Sequence, residues 1–498
     1  MAPPPLTAEQ PNSQTAQPVE ATVLRALAEQ AFSRAAGAPL VPGNRVRILR
    51  NAKENYPAWL EAIGAARGKI YFENYIVADD PIGREFVAAL ADRARAGVQV
   101  RVIYDWLGSL GSGSQRLWRP LVAAGGEVRC FNPPRLASPA GWLERDHRKM
   151  IAVDGEAGFV SGLCVSRKWA GDPARGLAPW RDTGLEIRGP AIASVEHAFA
   201  ASWAATGAPI PEAEIADADR ILPAGDTVLR VVATLPNMAP LYRLDQLIAV
   251  MARRSLWLAD AYFVGVATYV QALRAAAMDG VDVRLLVPGA SDVPIVSPLS
   301  RAGYRPLLES GVRVFEWNGT MMHAKTAVAD GRWARVGSSN LNLASWIGNH
   351  ELDVAVDDER FAVTMQALYE EDLANATEIV LARRNRVRPA GPRQRQGRHG
   401  GSASRAAAGA LRIGNTVTAA ITNRRVLGPA EAGTMAGMAG LLIVLALVAF
   451  IWPLIISLPL GLLGIWIAVS LLARARELYA AAGRAAAADE RRADDGAS

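Results

Sequence analysis

Cysteine, histidine and lysine are all scarce in this sequence. Of 498 residues, two are cysteine (Cys130 and Cys164), five are histidine and five are lysine, against 49 arginines. Two cysteines exclude a disulfide framework and a thiolate metal cluster. Cys164 reads as a small packed residue. No set of His, Cys, Asp and Glu has metal-ligand spacing, so neither a metal nor a cofactor is expected. Residues 1–20 are rich in Pro, Gln and Ala and lack a basic segment followed by an apolar one. They read as a disordered lead-in and not as a signal peptide.

Charge is missing in informative places. Residues 383–425 hold eleven arginines and no acid, and residues 432–473 hold no charge at all. The formal net charge of +6 therefore misleads. Without the eleven arginines, the lone Glu431 and the balanced segment 474–498, residues 1–382 carry −4. A nucleic-acid enzyme shows its basic footprint on the binding domain. Here the body is slightly acidic, and no nucleic-acid partner is expected.

The rare residues are not scattered. Asp146-His147-Arg148-Lys149 runs on to Asp154, and Met322-His323-Ala324-Lys325 runs on to Asp330. Both read His-x-Lys-x-x-x-x-Asp. Random placement predicts about 0.05 His-x-Lys pairs in a chain of this composition, and there are two with the same continuation. After each Lys comes an apolar run and then Asp-Gly, a hairpin-turn signal. Residues i and i+2 of a strand share a face, so each motif presents one imidazole and one ammonium to a common site. His197 and His350 fall outside the motif and read as background.

The surrounding pattern repeats as well. Residues 22–66 read as largely helical. Strand patterns at 69–76 and 97–104 flank an amphipathic helix at 83–96, a βαβ unit with parallel pairing. Further strands are expected at 127–131 and 182–187. Strand patterns at 256–263, 280–287 and 311–315 repeat the order, with a helix at 269–279. This predicts an α/β protein of two pseudo-symmetric halves whose site forms where they meet. The expected boundaries are a lead-in over 1–44, a first domain over 45–204, a linker over 205–227, a second domain over 228–382, an Arg-rich linker over 383–431, a hairpin over 432–473 and a charged tail over 474–498.

The duplicated motif, with Pro179-Trp180-Arg181-Asp182-Thr183 and Gly337-Ser338-Ser339-Asn340, resembles the phospholipase D superfamily. Within it the chain looks like a bacterial cardiolipin synthase or a close transphosphatidylase relative. The resemblance spans about residues 45 to 380. It implies two phospholipase D-type α/β/α domains and metal-free phosphodiester chemistry through a phospho-histidine. One imidazole attacks phosphorus, the other serves as acid and then base, and Lys149 and Lys325 hold the phosphate oxygens. His147 is assigned as nucleophile and His323 as acid/base, in preference to the reverse. Asp182 in the first half and Glu351 in the second are the implied carboxylates that orient the imidazoles. Ser338 and Asn340 are expected to hydrogen-bond the phosphate or the catalytic lysine. Asp154 and Asp330 complete the motif, but turn chemistry alone selects Asp-Gly, and a structural role is expected. The first copy departs from the pattern, with Gly162 and Cys164 where the second has Ser338 and Asn340.

One membrane span needs about 20 apolar residues, so the 42 uncharged residues of 432–473, broken at Pro453 and Pro459, suit a transmembrane helical hairpin. A re-entrant hairpin is the rival. Arginines on both flanks place those ends on the cytoplasmic side of a bacterial inner membrane. The expected substrates are phospholipids: phosphatidylglycerol, with phosphatidylethanolamine as a possible second. An anionic membrane surface is the expected partner of the arginines. A hydrolytic phospholipase D and a phosphodiesterase nuclease are the alternative functions.

Overall fold

The structure is a computed structural model that describes residues 27–113, 115–134, 144–293, 296–381 and 387–389, with isolated positions 440, 465, 466 and 469. The Arg-rich linker, the expected hairpin over 432–473 and the tail lie outside the described residues, those few positions apart. Among the described residues no helix is long and apolar enough to cross a membrane.

The first half builds one sheet from β1 (Val41–Arg50), β2 (Lys69–Asn74), β3 (Gln99–Asp105), β4 (Glu127–Phe131), β6 (Lys149–Val153), β7 (Ala157–Ser161) and β8 (Thr183–Arg188), with the two-residue β5 (Arg145–Asp146) just ahead of β6. Its order is β1-β8-β7-β6-β2-β3-β4, with β2, β3 and β4 parallel and the rest antiparallel. The second half uses β9 (Thr227–Thr234), β10 (Ser255–Ala259), β11 (Asp282–Pro288), β12 (Arg313–Trp317), β13 (Thr326–Ala329), β14 (Trp333–Gly337), β15 (Asn349–Asp357) and β16 (Ala376–Leu381). Their order, β9-β15-β14-β13-β10-β11-β12-β16, repeats the first sheet strand for strand and adds β16. Strand β1 also pairs with β9, so hydrogen bonding runs from one sheet into the other.

The described residues of the stretch 22–66 are largely helical, but a strand, β1, stands in their middle. Helices at 27–36 and Asn51–Ala65 flank β1. Within positions 41–50, Arg45-Val46-Arg47-Ile48 alternates arginine with apolar residues. That period of two marks a strand with one wet face.

Each half has its own core between sheet and outer helices. Trp59, Phe86 and Trp169 anchor the first, and Tyr269, Tyr304 and Trp346 the second. A third core joins the halves: Tyr71, Val160 and Leu185 pack with Val328, Val336 and Val354, and with the helices Ile192–Thr206 and Glu359–Ala374. These aliphatic faces are buried on both sides, so the halves cannot part without exposing a whole core layer to water.

The Asp-Gly turns form as expected. Asp154 and Gly155 have φ of 54° and 69°, and Asp330 and Gly331 have 55° and 64°. Two successive left-handed residues are the centre of a tight turn, closed here by Glu156 N–H to Val153 O at 2.9 Å and Arg332 N–H to Ala329 O at 3.0 Å. The Asp154 carboxylate accepts from the backbone N–H of Arg67, Gly68 and Lys69 at 2.7–2.8 Å. Asp330 accepts from Arg253, Arg254 and Ser255 at 2.7–3.0 Å. Each aspartate thus ties its hairpin to the start of the neighbouring parallel strand. Lys149 pairs with Asn74, at the other end of β2, five residues or roughly 16 Å away. Asp154 and Asp330 thus sit at the hairpin turns, at the far ends of β6 and β13 from the motif histidines.

Candidate active site

His147 and His323 sit just before β6 and β13 rather than within them. Their backbones are held by the opposite half. His147 N donates to His350 O at 2.9 Å beside the parallel pairing of β5 with β15, and His323 N donates to Arg181 O at 2.7 Å. The exchange is reciprocal: each motif enters the other half's territory.

The side chains follow the same cross-over. His147 Nδ1 lies 2.9 Å and 3.0 Å from the two carboxylate oxygens of Glu351. His323 Nδ1 lies 2.6 Å from Asp182 Oδ2. An ionised carboxylate only accepts, so Nδ1 carries the proton in each ring and Nε2 is left as the basic atom. Asp182 and Glu351, expected as the orienting carboxylates, thus each serve the histidine of the other half.

The ammoniums are equally close. Lys325 Nζ lies 2.9 Å from Nδ1 and 3.1 Å from Nε2 of His323, and Lys149 Nζ donates to the His147 carbonyl. In the second motif the i, i+2 pair shares a face, and in the first Lys149 acts on the His147 ring electrostatically. Lys149 also acts electrostatically on His323, and Lys325 on His147. The two half-sites form one electrostatic unit.

Burial sets the charge states. It pushes His147 down to about 4, with Glu351 opposing and both lysines adding to the fall. It pushes His323 down to about 4, helped by Lys325 and opposed by Asp182. Both imidazoles are therefore neutral at pH 7. Burial also brings Lys325 down to about 8, against the pull of Asp182. Burial alone would raise Asp182 and Glu351, but the partnered histidines and lysines outweigh it and hold both below the ordinary carboxylate range. The result is two neutral bases on two fixed anions, beside two ammoniums.

The two carboxylates are supported differently. Ser338 Oγ donates to Glu351 Oε2 at 2.6 Å, and Asn349 Nδ2 to Oε1 at 3.0 Å. Ser338 was expected at the phosphate or the lysine; its hydroxyl holds the orienting carboxylate instead. In the first half, Gly162 stands at the Ser338 position. A Cβ there would lie 2.3 Å from Asp182 Oδ1, so the shorter aspartate brings its carboxylate too close for any side chain. Trp169 Nε1 supplies the missing donor, at 2.9 Å from Asp182 Oδ2. The departure in the first copy is thus a compensated swap. Asn340 does not reach either lysine: its N–H donates to Ser345 Oγ at 3.2 Å, and its buried Oδ1 accepts no hydrogen bond.

Several functional residues escaped the sequence reading. Trp169 and Trp180 enclose the His323 ring, with centroids 5.1 Å and 5.5 Å away, and Tyr75 lies edge-on to His147 at 4.8 Å. Only Trp180 had a signal, as part of the Pro-Trp-Arg-Asp-Thr run. His350 is not background. Its carbonyl holds His147, and its buried ring lies 3.3 Å from Ser202 Oγ. His197 is peripheral: its Nδ1 bonds Ala193 O within its own helix, and its Nε2 faces Glu212 at 3.9 Å. Arg148, the middle residue of the first motif, is fully buried and bonds the carbonyls of Ala198, Thr234 and Glu351. Among the described residues no group of three or more His, Cys, Asp and Glu is placed to hold a metal.

Two half-sites, each with an imidazole, an ammonium and an orienting carboxylate lent by the other half, define a phospholipase D-type phosphodiester enzyme. Residues 59–169 and 246–373 match the family described as cardiolipin synthase, PLD-like domain. Cardiolipin synthase A of Pseudomonas aeruginosa is 34% identical over 373 residues, 72% of this chain and 73% of that one. The cardiolipin synthase of Alkalihalophilus pseudofirmus is 32% identical over 345 residues, 68% of each. The crystal structure of a phosphatidylserine synthase from Haemophilus influenzae Rd KW20 shares the fold, with a TM-score of 0.56 at 15% identity over 70% of this chain and 90% of its own. The chain belongs to the cardiolipin synthase family, and is a phospholipase D-type phosphatidyltransferase.

Proposed function

We propose that this enzyme moves a phosphatidyl group from one phospholipid to the hydroxyl of a second, making cardiolipin. Phosphatidylglycerol supplies the accepting hydroxyl, and the donor is a second phosphatidylglycerol, releasing glycerol, or a phosphatidylethanolamine, releasing ethanolamine in its place. The observation that carries this reading is the reciprocal arrangement of His147 on Glu351 and His323 on Asp182. His147 Nε2 attacks phosphorus while the P–O bond to the departing glycerol breaks. His323 delivers a proton to that oxygen. It then takes the proton of the incoming hydroxyl, whose oxygen displaces His147 and closes the new ester. Nothing is oxidised or reduced, and the proton on His323 is restored each cycle. Lys149 and Lys325 neutralise the non-bridging oxygens, the charge stabilisation this chemistry needs.

His323 begins neutral, so the substrate must bring its proton into range. A phosphodiester anion about 4 Å away in an environment of effective dielectric near 20 contributes about 4 kcal/mol, which raises proton affinity about a thousandfold. That offsets the fall from the ordinary 6.5 to about 4 that burial imposes on His323.

The same reading assigns residues 432–473 as the membrane hairpin and the arginines of 383–425 as contacts to anionic headgroups, where each gains about 1 kcal/mol. The test is thin-layer chromatography of lipids from a host lacking cardiolipin, with and without this protein. Cardiolipin in the complemented host is expected. Phosphatidic acid in its place would identify a hydrolase, and no lipid change would refute the reading. A chain ending at residue 382 is expected to turn over micellar substrate yet act poorly on anionic vesicles. Equal action on both would remove the tail from substrate delivery.

A further inference from the structure

Behind the first motif lies a buried cluster that the chemistry above does not use. Glu73, Asp105 and Asp146 are all fully buried. Two guanidiniums, Arg145 and Arg148, accompany them and are likewise buried. Arg145 bonds Asp105 at 3.1 Å, and Asp105 also accepts from the backbone N–H of Gly108 and Asp146 at 2.9 Å. Asp105 is satisfied. Arg148 spends its donors on three carbonyls and on Ser202 Oγ. It gives none to a carboxylate side chain.

That leaves Glu73 and Asp146. Neither oxygen of Glu73 accepts a hydrogen bond, and neither does Asp146 Oδ2. Asp146 Oδ1 has only the Arg148 backbone N–H, at 3.3 Å. The two carboxyls lie beside each other and beside Ser202, whose hydroxyl is already engaged by Arg148 and His350. The nearby cations are committed elsewhere: Arg145 to Asp105, Arg148 to carbonyls and Ser202, and Lys149, which also acts on Glu73, to the His147 carbonyl. Two adjacent buried carboxylates cannot both stay ionised without donors. A proton held between them relieves the repulsion of two adjacent anions and joins one Glu73 oxygen to Asp146 Oδ2, two of the three orphaned atoms.

The geometry points to Glu73 and Asp146 as a carboxylic acid–carboxylate pair that retains one proton and positions the His147–Lys149 segment. Asp146 is bonded directly to His147, and Glu73 lies across from Met150 in the β2–β6 ladder. The pair therefore braces the segment from both sides. Burial pushes both groups above the ordinary carboxylate range. Asp146 is raised the further, with Glu73 adding to the rise and Arg148 opposing it. The other titratable groups that act on the pair are Asp105 on Asp146 and Lys149 on Glu73. This role rests on His147 lying at the reacting centre. The retained proton does not.

The test has two arms on the full-length protein. Infrared difference spectra of wild type against Glu73→Gln at neutral pH read the proton directly. Wild type is expected to show the C=O stretch of a buried protonated carboxylic acid that the variant lacks. Absence of that difference would overturn the shared proton. Kinetics then read the positioning. Glu73→Ala leaves Asp146 unpartnered, and kcat is expected to fall about tenfold or more with KM little changed. Glu73→Gln keeps a neutral hydrogen-bonding group of the same shape, and is expected to recover most of that loss. A Gln variant as impaired as Ala, or an Ala variant with wild-type kcat, would overturn the positioning role. If Glu73→Ala fails to fold, the spectrum and the Gln kinetics still decide.

Discussion

Replacing Glu351 with Gln isolates the cross-over on which the active site depends. The carboxylate receives His147 Nδ1 on both oxygens, Ser338 on one and Asn349 on the other. An amide keeps the shape but loses the charge, and its –NH₂ end must face a donor whichever way it turns. The first loss is a charge-assisted hydrogen bond, worth about 1.5–3 kcal/mol. The second is the stabilisation of the positive imidazole ring as it attacks. When the –NH₂ end meets Nδ1, the ring must also give up the tautomer that leaves Nε2 free. Together these cost about 3–5 kcal/mol of barrier, or about 10²–10⁴ in rate. The assay is kcat on micellar phosphatidylglycerol, with rapid-quench trapping of the phosphoenzyme and a melting curve to confirm the fold. Both turnover and the rate of phosphoenzyme formation are expected to fall. Ser338→Ala removes one neutral donor and is expected to cost about 1 kcal/mol, roughly fivefold. A Glu351→Gln enzyme within tenfold of wild type would show that His147 does not need its carboxylate. If Ser338→Ala cost as much as Glu351→Gln, Ser338 would have to touch the substrate.

Three further outcomes are expected. His147→Ala and His323→Ala should each abolish turnover while leaving the melting profile cooperative; near wild-type activity in either would refute a single two-histidine site. Lys325, brought down to about 8 by burial, is charged below that pH and neutral above it. The apparent KM for an anionic phosphodiester should therefore rise as pH increases through 8, and a KM that stays flat well above that would remove Lys325 from phosphate binding. Trp169→Phe removes the indole N–H from Asp182 Oδ2, which makes that carboxylate a stronger acceptor for His323 Nδ1–H. The pH limb governed by His323 should move to higher pH, and an unchanged profile would show that Trp169 merely packs.

The sequence alone determined the elements whose causes are local. Asp154-Gly155 and Asp330-Gly331 form the expected turns because only residues tolerant of positive φ can occupy both central positions of so tight a turn. In the second motif the His-x-Lys spacing put both groups on one face, and the parallel strands followed from apolar runs alternating with helices. Strand β1 was missed because its alternation is diluted by Pro42, Gly43 and Asn44. The partnerships were settled by tertiary structure. Asp182 lies 35 residues after His147 in the chain yet serves His323 of the other half, and no local pattern encodes that exchange. It arises because β5 pairs with β15, and Arg181 with Met322, across a shared apolar core. The donor to Asp182 shows the same limit. Gly162 read as a lost serine, but the carboxylate leaves no room for a side chain there, and Trp169 supplies the hydrogen bond from another segment. Sequence spacing names the reactive groups, while the charge and tautomer each one carries depend on burial and on neighbours that only the folded chain brings together.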